Sequence, residues 1–123
     1  MKTFVETTEF SKRQPRFLPG EAYTELQGIL AANPEKGDVM PGCGGLRKLR
    51  IADPRRHKGK RGGARVIYLH VPEADKFLML DIYGKNEKED LTPAEKKQLR
   101  ELAREYKKQV VEAAGKTKKE GEP

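Results

Sequence analysis

The spacing of apolar residues changes along this chain in a way that predicts a small α+β domain. Residues 21–32 carry apolar side chains three, four and seven positions apart, the period of an amphipathic helix: Tyr23, Leu26, Ile29 and Leu30. A second stripe of this period follows residues 92–95 (TPAE), whose threonine, proline and glutamate are typical of a helix start. We expect this long final helix to end at Gly115, a natural stop.

Three segments with strand-like patterns lie between these two helices. Residues 46–52 alternate apolar and basic side chains, whereas residues 64–71 and 77–83 are rich in β-branched and aromatic side chains. The connection between the last two segments is short and predicts an antiparallel hairpin. The chain therefore changes from helical to strand periodicity and back again.

The N-terminal residues predict a strand followed by a short helix. Residues 4–7 have the composition of a strand, and Thr8 is placed to cap a helix over residues 9–14. Pro15 is expected to end that helix, because proline has no backbone N–H to donate. Residues 35–45 are rich in glycine and proline and predict a long loop.

One domain accounts for this order of elements. The chain has 123 residues, enough for one modest core. We expect residues 1–114 to form an antiparallel sheet with N-terminal helices and a C-terminal helix packed on it, and residues 115–123 to be a disordered tail. The longest apolar run, residues 77–80, is far too short to span a membrane, and the single Cys43 cannot form an internal disulfide. A cytoplasmic protein without membrane association is the expectation.

The net positive charge is concentrated in one segment. The whole chain carries +7, whereas residues 44–68 alone carry nine Lys or Arg and a single Asp. The rest of the chain is close to neutral. Basic charge at this density predicts contact with a polyanion, most directly a nucleic acid.

Side chains of the basic segment suit chemistry on a phosphate. Lys48 and Arg50 lie two positions apart on a predicted strand, so they project from the same face. Arginine donates paired hydrogen bonds to phosphate oxygens, and lysine among neighbouring cations becomes better suited to proton transfer. No carboxylate or histidine pair accompanies the segment, so a cationic mechanism without metal or cofactor is predicted. Further cations are expected to bind the RNA backbone: Arg47, Arg55, Arg56, Lys58, Lys60 and Arg61.

Four segments, taken together and in order, resemble the HigB-type branch of the RelE/ParE toxin superfamily. They are FVET at 4–7, NPEKGDVMPGCGGLRKLRIA at 33–52, GKRGGARVIY at 59–68 and IYGKNEKEDLT at 82–92. The resemblance implies a small antiparallel sheet with helices on one face, acting as the toxin of a toxin–antitoxin pair. It also implies a ribosome-dependent endoribonuclease that cleaves mRNA in the ribosomal A site and inhibits translation. The implied partners are the ribosome, mRNA and a cognate helix-turn-helix antitoxin.

The resemblance assigns roles to particular basic residues. Lys48 and Arg50 match a basic–apolar–basic strand whose cations face RNA in RelE toxins. Arg65 matches an arginine that opens the next strand and is a proposed phosphate stabiliser in that family. The alternative for all three residues is a solvated surface charge, which is the ordinary role of such side chains.

The end of the last strand matches the family less well. Tyr83 and Lys85 lie where RelE-like toxins place further active-site groups, but Asn86 and Leu91 stand where that family has an arginine and a tyrosine. Lys85 or Lys48 is a candidate for proton transfer. For Tyr83, three roles remain open: stacking on a base, proton transfer, or packing as a core or rim residue.

Two other functions are compatible with the same sequence. A noncatalytic RNA-binding or ribosome-binding protein would use the basic segment for affinity alone. A ParE-like gyrase poison would act on a protein partner, which would make the basic strand less central. The concentration of charge in residues 44–68 favours RNA.

Overall fold

A computed structural model describes residues 2–52 and 63–120 of the chain. Its elements, in chain order, are β1 (Thr3–Glu6), α1 (Thr8–Phe17), α2 (Ala22–Ala32), β2 (Asp38–Val39), β3 (Arg47–Ile51), β4 (Ala64–Val71), a 3-10 turn (Pro72–Ala74), β5 (Lys76–Gly84) and α3 (Pro93–Glu120). Among these helices, none combines the length and the apolar character needed to cross a membrane. The predicted α+β class is confirmed.

The five strands form one mixed sheet in the order β1-β5-β4-β3-β2. Neighbours from β2 to β5 pair antiparallel, which confirms the predicted β4–β5 hairpin, whereas β1 runs parallel to β5. Thr7 fixes that direction, since its backbone N–H donates to the Met79 carbonyl oxygen at 3.0 Å and its hydroxyl donates to the Leu80 carbonyl oxygen at 2.7 Å. The expectation of an entirely antiparallel sheet is therefore corrected at one edge.

Helices cover both faces of this sheet. Val66 and Tyr68 of β4 pack in a cluster with buried residues of α1 and α2, whereas Ile67 and Leu69 pack in a second cluster with Ala103 of α3. Because successive strand residues point to opposite faces, these clusters lie on opposite sides of the sheet. The expectation that all helices share one face is wrong, since a central strand buried on both sides needs cover on both.

The start and end of α1 differ from the sequence prediction. Thr7, not Thr8, is the N-cap, and its side-chain oxygen accepts a hydrogen bond from the Phe10 N–H at 3.1 Å. Pro15 lies inside the helix, so its predicted role as terminator is wrong. In the last turn proline removes a single hydrogen bond, and continuing the helix buries Phe17, which is 3% exposed.

The other helices follow their predicted patterns with two exceptions. The stripe of α2 is narrower than expected, because Leu26 and Leu30 are buried but Ile29 is 46% exposed. The predicted start of α3 is confirmed by reciprocal bonds: the Glu95 N–H donates to Thr92 Oγ1, and the Thr92 N–H donates to Glu95 Oε1. The predicted stop at Gly115 is wrong, since α3 continues to Glu120.

The missed continuation of α3 beyond Gly115 and the unpredicted strand β2 each have a physical reason. A glycine inside a helix costs about 1 kcal/mol relative to alanine but does not by itself end the helix. The two-residue strand β2 lies within the predicted loop at 35–45 and is too short to show any periodicity. Residues 121–123 of the predicted tail lie outside the described residues, so the proposed boundary after residue 114 stays a prediction.

Candidate nucleic-acid interface

The register of the sheet brings predicted site residues into one row. Arg50 of β3 lies opposite Arg65 of β4, and Arg65 lies opposite Tyr83 of β5. Directly opposed residues project from the same face, so these side chains share the α3 face of the sheet. Lys48 projects there as well, because it lies two positions from Arg50.

Four of the cations that the sequence predicted for the site surround a single cavity. The cavity has a volume of about 480 Å³ and is lined by Lys48, Arg50, Arg65, Lys85 and Glu89. The backbone N–H of Lys85 donates to the Gly63 carbonyl oxygen at 3.1 Å. This bond joins the end of β5 to the start of β4 and holds Lys85 beside Arg65.

Arg65 is the most buried cation of the cavity. The residue is 6% exposed, and its Nη1 donates to the Ala64 carbonyl oxygen at 3.3 Å. Burial lowers the pKa of Arg65, and the positive charge of Arg50 lowers it further. Arginine still remains charged at neutral pH. Two crowded guanidinium groups therefore make this cavity favourable for an anion and unfavourable for another cation.

Lys48 is held in place by an acid from the segment after β5. Its Nζ lies 3.4 Å from Asp90 Oδ1, while Lys96 of α3 donates to Asp90 Oδ2 at 3.0 Å. Burial opposes ionisation of Asp90, but hydrogen bonds from Lys96 and from the Leu91 N–H, with the charge of Lys48, lower its pKa overall. Asp90 thus connects β3 to the start of α3.

Sequence reasoning missed both acids at this site. Among the residues that the structure describes, a single carboxylate, that of Glu89, lines the cavity, while Asp90 pairs with Lys48. A signal was present in the sequence. The hairpin places the end of β5 beside the start of β4, so the acidic residues that follow Gly84 return to the neighbourhood of Arg65.

Tyr83 lies opposite Arg65 in the sheet but does not line the cavity. Its ring is fully buried in the cluster under α3, and the Lys88 Nζ lies 5.0 Å from the ring centroid. Burial, reinforced by the negative charge of Asp90, raises the pKa of Tyr83 to about 12. A phenol of this kind stays protonated at neutral pH. Its ring is not accessible for stacking on a base, and a role in proton transfer stays a prediction.

The cations predicted to bind the RNA backbone are mostly beyond the described residues. These are Arg55, Arg56, Lys58, Lys60 and Arg61. Arg47 is described and contacts the loop before β2, where its Nη1 donates to the carbonyl oxygens of Gly37 at 2.7 Å and Glu35 at 3.2 Å. It alternates with Lys48 along β3 and does not line the cavity, so its role in RNA binding stays a prediction.

The cationic cavity, at one end of the three inner strands of the sheet, defines the class of site: a basic surface suited to an anion. In the part of the chain that the structure describes, no three His, Cys, Asp or Glu residues are grouped closely enough to hold a metal ion. A family model described as "RelE toxin of RelE / RelB toxin-antitoxin system" matches residues 26–122. Because this match spans well over half of the chain, the protein belongs to the RelE toxin family. It is a toxin that has an antitoxin as its partner.

Proposed function

We propose that this toxin is a ribosome-dependent endoribonuclease of the HigB branch, which cleaves mRNA in the ribosomal A site and thereby stops translation. The observation that supports the proposal is the convergence of Lys48, Arg50, Arg65 and Lys85 on one cavity. Cations from β3, from β4 and from the residue after β5 would surround a single phosphate. Such an arrangement suits a reaction whose charge develops on phosphate oxygens.

The reaction would be attack of a ribose 2′-oxygen on the adjacent phosphorus. A new P–O bond forms, and the bond to the 5′-oxygen of the next nucleotide breaks. Negative charge rises on the phosphoryl oxygens during this exchange. Arg65, with Arg50 opposite it in the ladder, would donate hydrogen bonds to these oxygens. The burial of Arg65 strengthens that interaction, because water screens it less.

Two protons must also move. The 2′-hydroxyl loses one, and the leaving 5′-oxygen gains one. A carboxylate at neutral pH accepts a proton directly, whereas an ammonium group must first lose its own. Glu89 is the carboxylate that lines the cavity, and we assign it the role of proton acceptor. Lys48 or Lys85 would then act as the proton donor to the leaving oxygen.

Replacement of Arg65 tests the proposal directly. Arg65→Ala should lower the single-turnover cleavage rate on programmed ribosomes by roughly a hundredfold or more, the usual cost of losing one preorganised donor. Arg65→Lys should restore only part of the rate, because lysine returns the charge without the paired hydrogen bonds. Ribosome binding should change much less than cleavage.

Lys12→Ala is the matched control, since Lys12 is an exposed cation of α1 that does not line the cavity. It should cleave at the wild-type rate, with circular dichroism confirming that both variants are folded. A folded Arg65→Ala protein that cuts at the normal rate would remove Arg65 from the mechanism. Ribosome binding without any cleavage by the wild type would favour a noncatalytic translation inhibitor. DNA synthesis failing before protein synthesis in pulse labelling would favour a gyrase poison.

A further inference from the structure

A second group of cations lies on α3, away from the cavity. A groove of about 650 Å³ separates this helix from Gly44 and from Glu73 of the 3-10 turn. Four exposed basic side chains of α3 line it: Arg100, Arg104, Lys107 and Lys108. Glu73 and Glu112 line the groove too, so cations outnumber acids by four to two.

These four cations form a stripe along one side of the helix. Since an α-helix turns about 100° per residue, they occupy an arc of about 100°. Glu101 and Glu105 follow on the adjacent arc, so the charges of the helix are sorted by sign. Within the described part of the chain, Arg104, Lys107 and Lys108 form no ion pair with a carboxylate. The stripe keeps its positive charge on the surface.

The stripe and the cavity lie at opposite ends of the sheet. Glu73 follows the end of β4, whereas Arg65 lies near its start. Val71 lies six positions after Arg65 along the strand, a distance of about 20 Å. The Arg100 Nη1 donates to the Gly42 carbonyl oxygen at 3.2 Å, which ties the loop before β3 to α3. One phosphate cannot reach both surfaces, but an extended RNA surface can.

We infer that this stripe is a second RNA-binding surface, which contacts the phosphate backbone of ribosomal RNA far from the cut bond. The inference rests on the proposed ribosomal function. Exposed lysines and arginines on flexible stems suit phosphate contacts that do not depend on sequence. The described lining of the groove contains no aromatic side chain on which a base could stack. The surface therefore positions the toxin on the ribosome and takes no part in the chemistry.

A pair of double variants tests this surface. Arg104→Ala/Lys108→Ala removes two stripe cations four residues apart, and Lys12→Ala/Arg16→Ala removes a matched pair four residues apart on α1. Both lose two positive charges, and alanine favours the helix in each. Cosedimentation with ribosomes across a salt series gives the slope of log affinity against log salt. The stripe variant should bind more weakly, with a slope smaller by roughly 1 to 2, because each lost phosphate contact removes about 0.7–0.9.

The control pair should keep the wild-type slope, and single-turnover cleavage by bound toxin should be unchanged in both variants. Equal slopes for the two variants would overturn the inference. Loss of antitoxin affinity with normal ribosome binding would also overturn it, since the stripe would then belong to the antitoxin interface. A wild-type protein that binds ribosomes without cleaving RNA would contradict the proposed catalysis alone. The comparison of slopes would still test whether the stripe binds RNA.

Discussion

The two ends of the β4–β5 hairpin use the same pair of strands for different purposes. We call the end where the 3-10 turn joins β4 to β5 the closed end, and the end with Ala64 and Gly84 the open end. At the closed end, the Phe77 ring stacks on Phe4 and on His70, with centroids 4.6 Å apart in both cases. Burial lowers the pKa of His70, which favours its neutral form in this apolar stack. At the open end, the buried positions include Arg65 and Asp81. The closed end is therefore packed with aromatic side chains, and the open end contains the buried charged residues.

The difference shows where this fold concentrates the groups suited to chemistry. Burying a charged group costs free energy unless other interactions compensate for it. A segment that packs well elsewhere can tolerate that cost locally. Positions that break ordinary packing rules are therefore expected at functional sites, and both buried charged residues of this hairpin, Arg65 and Asp81, lie toward its open end. Substitutions at each end should then have separable effects on stability and on cleavage.

The largest effect is expected at the closed end. Phe77 is fully buried, so Phe77→Ala should lower the free energy of unfolding by about 3–5 kcal/mol, the usual cost of truncating a core aromatic residue. Chemical denaturation measures this loss. The cleavage rate of the protein that remains folded should stay at the wild-type value. A large fall in the rate of the folded fraction would show that the two ends are coupled and would break the comparison.

The second effect concerns the open end and chemistry. Glu89→Gln keeps the shape of the side chain but removes the proposed proton acceptor, so single-turnover cleavage should slow by about a hundredfold. Stability should change little, since Glu89 is exposed. Glu101→Gln, an exposed position on α3 outside the cavity, is the matched control. If Glu89→Gln cleaves as fast as the control, proton transfer passes to Lys48 or Lys85.

Local sequence patterns predicted most of the elements but not all of their partners. The stripes of α2 and α3 and the alternation in β3 depend on neighbouring residues, so their periodicity can be read directly. The parallel pairing of β1 depends on Thr7 meeting Met79 and Leu80, more than seventy residues away. The choice between Thr7 and Thr8 as cap could not be made either, because both residue types suit that position.

Local sequence patterns likewise predicted only part of the candidate site. The shared face of Lys48 and Arg50 follows from the period of a strand. The position of Tyr83 opposite Arg65 depends on a long-range register that includes an irregularity between Ile67 and Tyr68. A shift of one residue would have turned Tyr83 to the other face, so local spacing could not place it. The acids after β5 belong to the site only because of the path of that segment.

A third, smaller effect concerns the ion pair between Lys48 and Asp90. Asp90→Asn removes the ion pairs with Lys48 and Lys96, and stability at neutral pH should fall by at most about 1 kcal/mol, because partly exposed ion pairs contribute little. The folded protein lowers the pKa of Asp90. Its contribution is therefore present above the unfolded pKa and is lost as pH falls through the folded value. Denaturation at acidic and neutral pH should show the two proteins converging in acid. A loss that is the same at both pH values would exclude this electrostatic origin.

The smallest effect should be a gain in stability at the open end. Burial is the main influence on the carboxyl group of Asp81 and raises its pKa, although Lys88, the Ile82 N–H and Arg13 act in the opposite direction. The folded protein thus binds this proton more tightly than the unfolded chain does. Stability is therefore lost as pH rises from the unfolded pKa to the folded one. Asp81→Asn should be more stable than the wild type at pH 7.

The asparagine oxygen can still accept the Ile82 N–H, which the carboxylate accepts at 2.9 Å. The gain should disappear in acid, where Asp81 itself is neutral, and denaturation at both pH values measures this. Asp38→Asn, at an exposed position of β2, should show no such difference. An Asp81→Asn protein less stable than the wild type at pH 7 would mean that the Arg13 Nη1, 3.8 Å from Asp81 Oδ1, outweighs the cost of burial. The open end would then be stabilised by its charges, and the contrast with the closed end would concern chemistry alone.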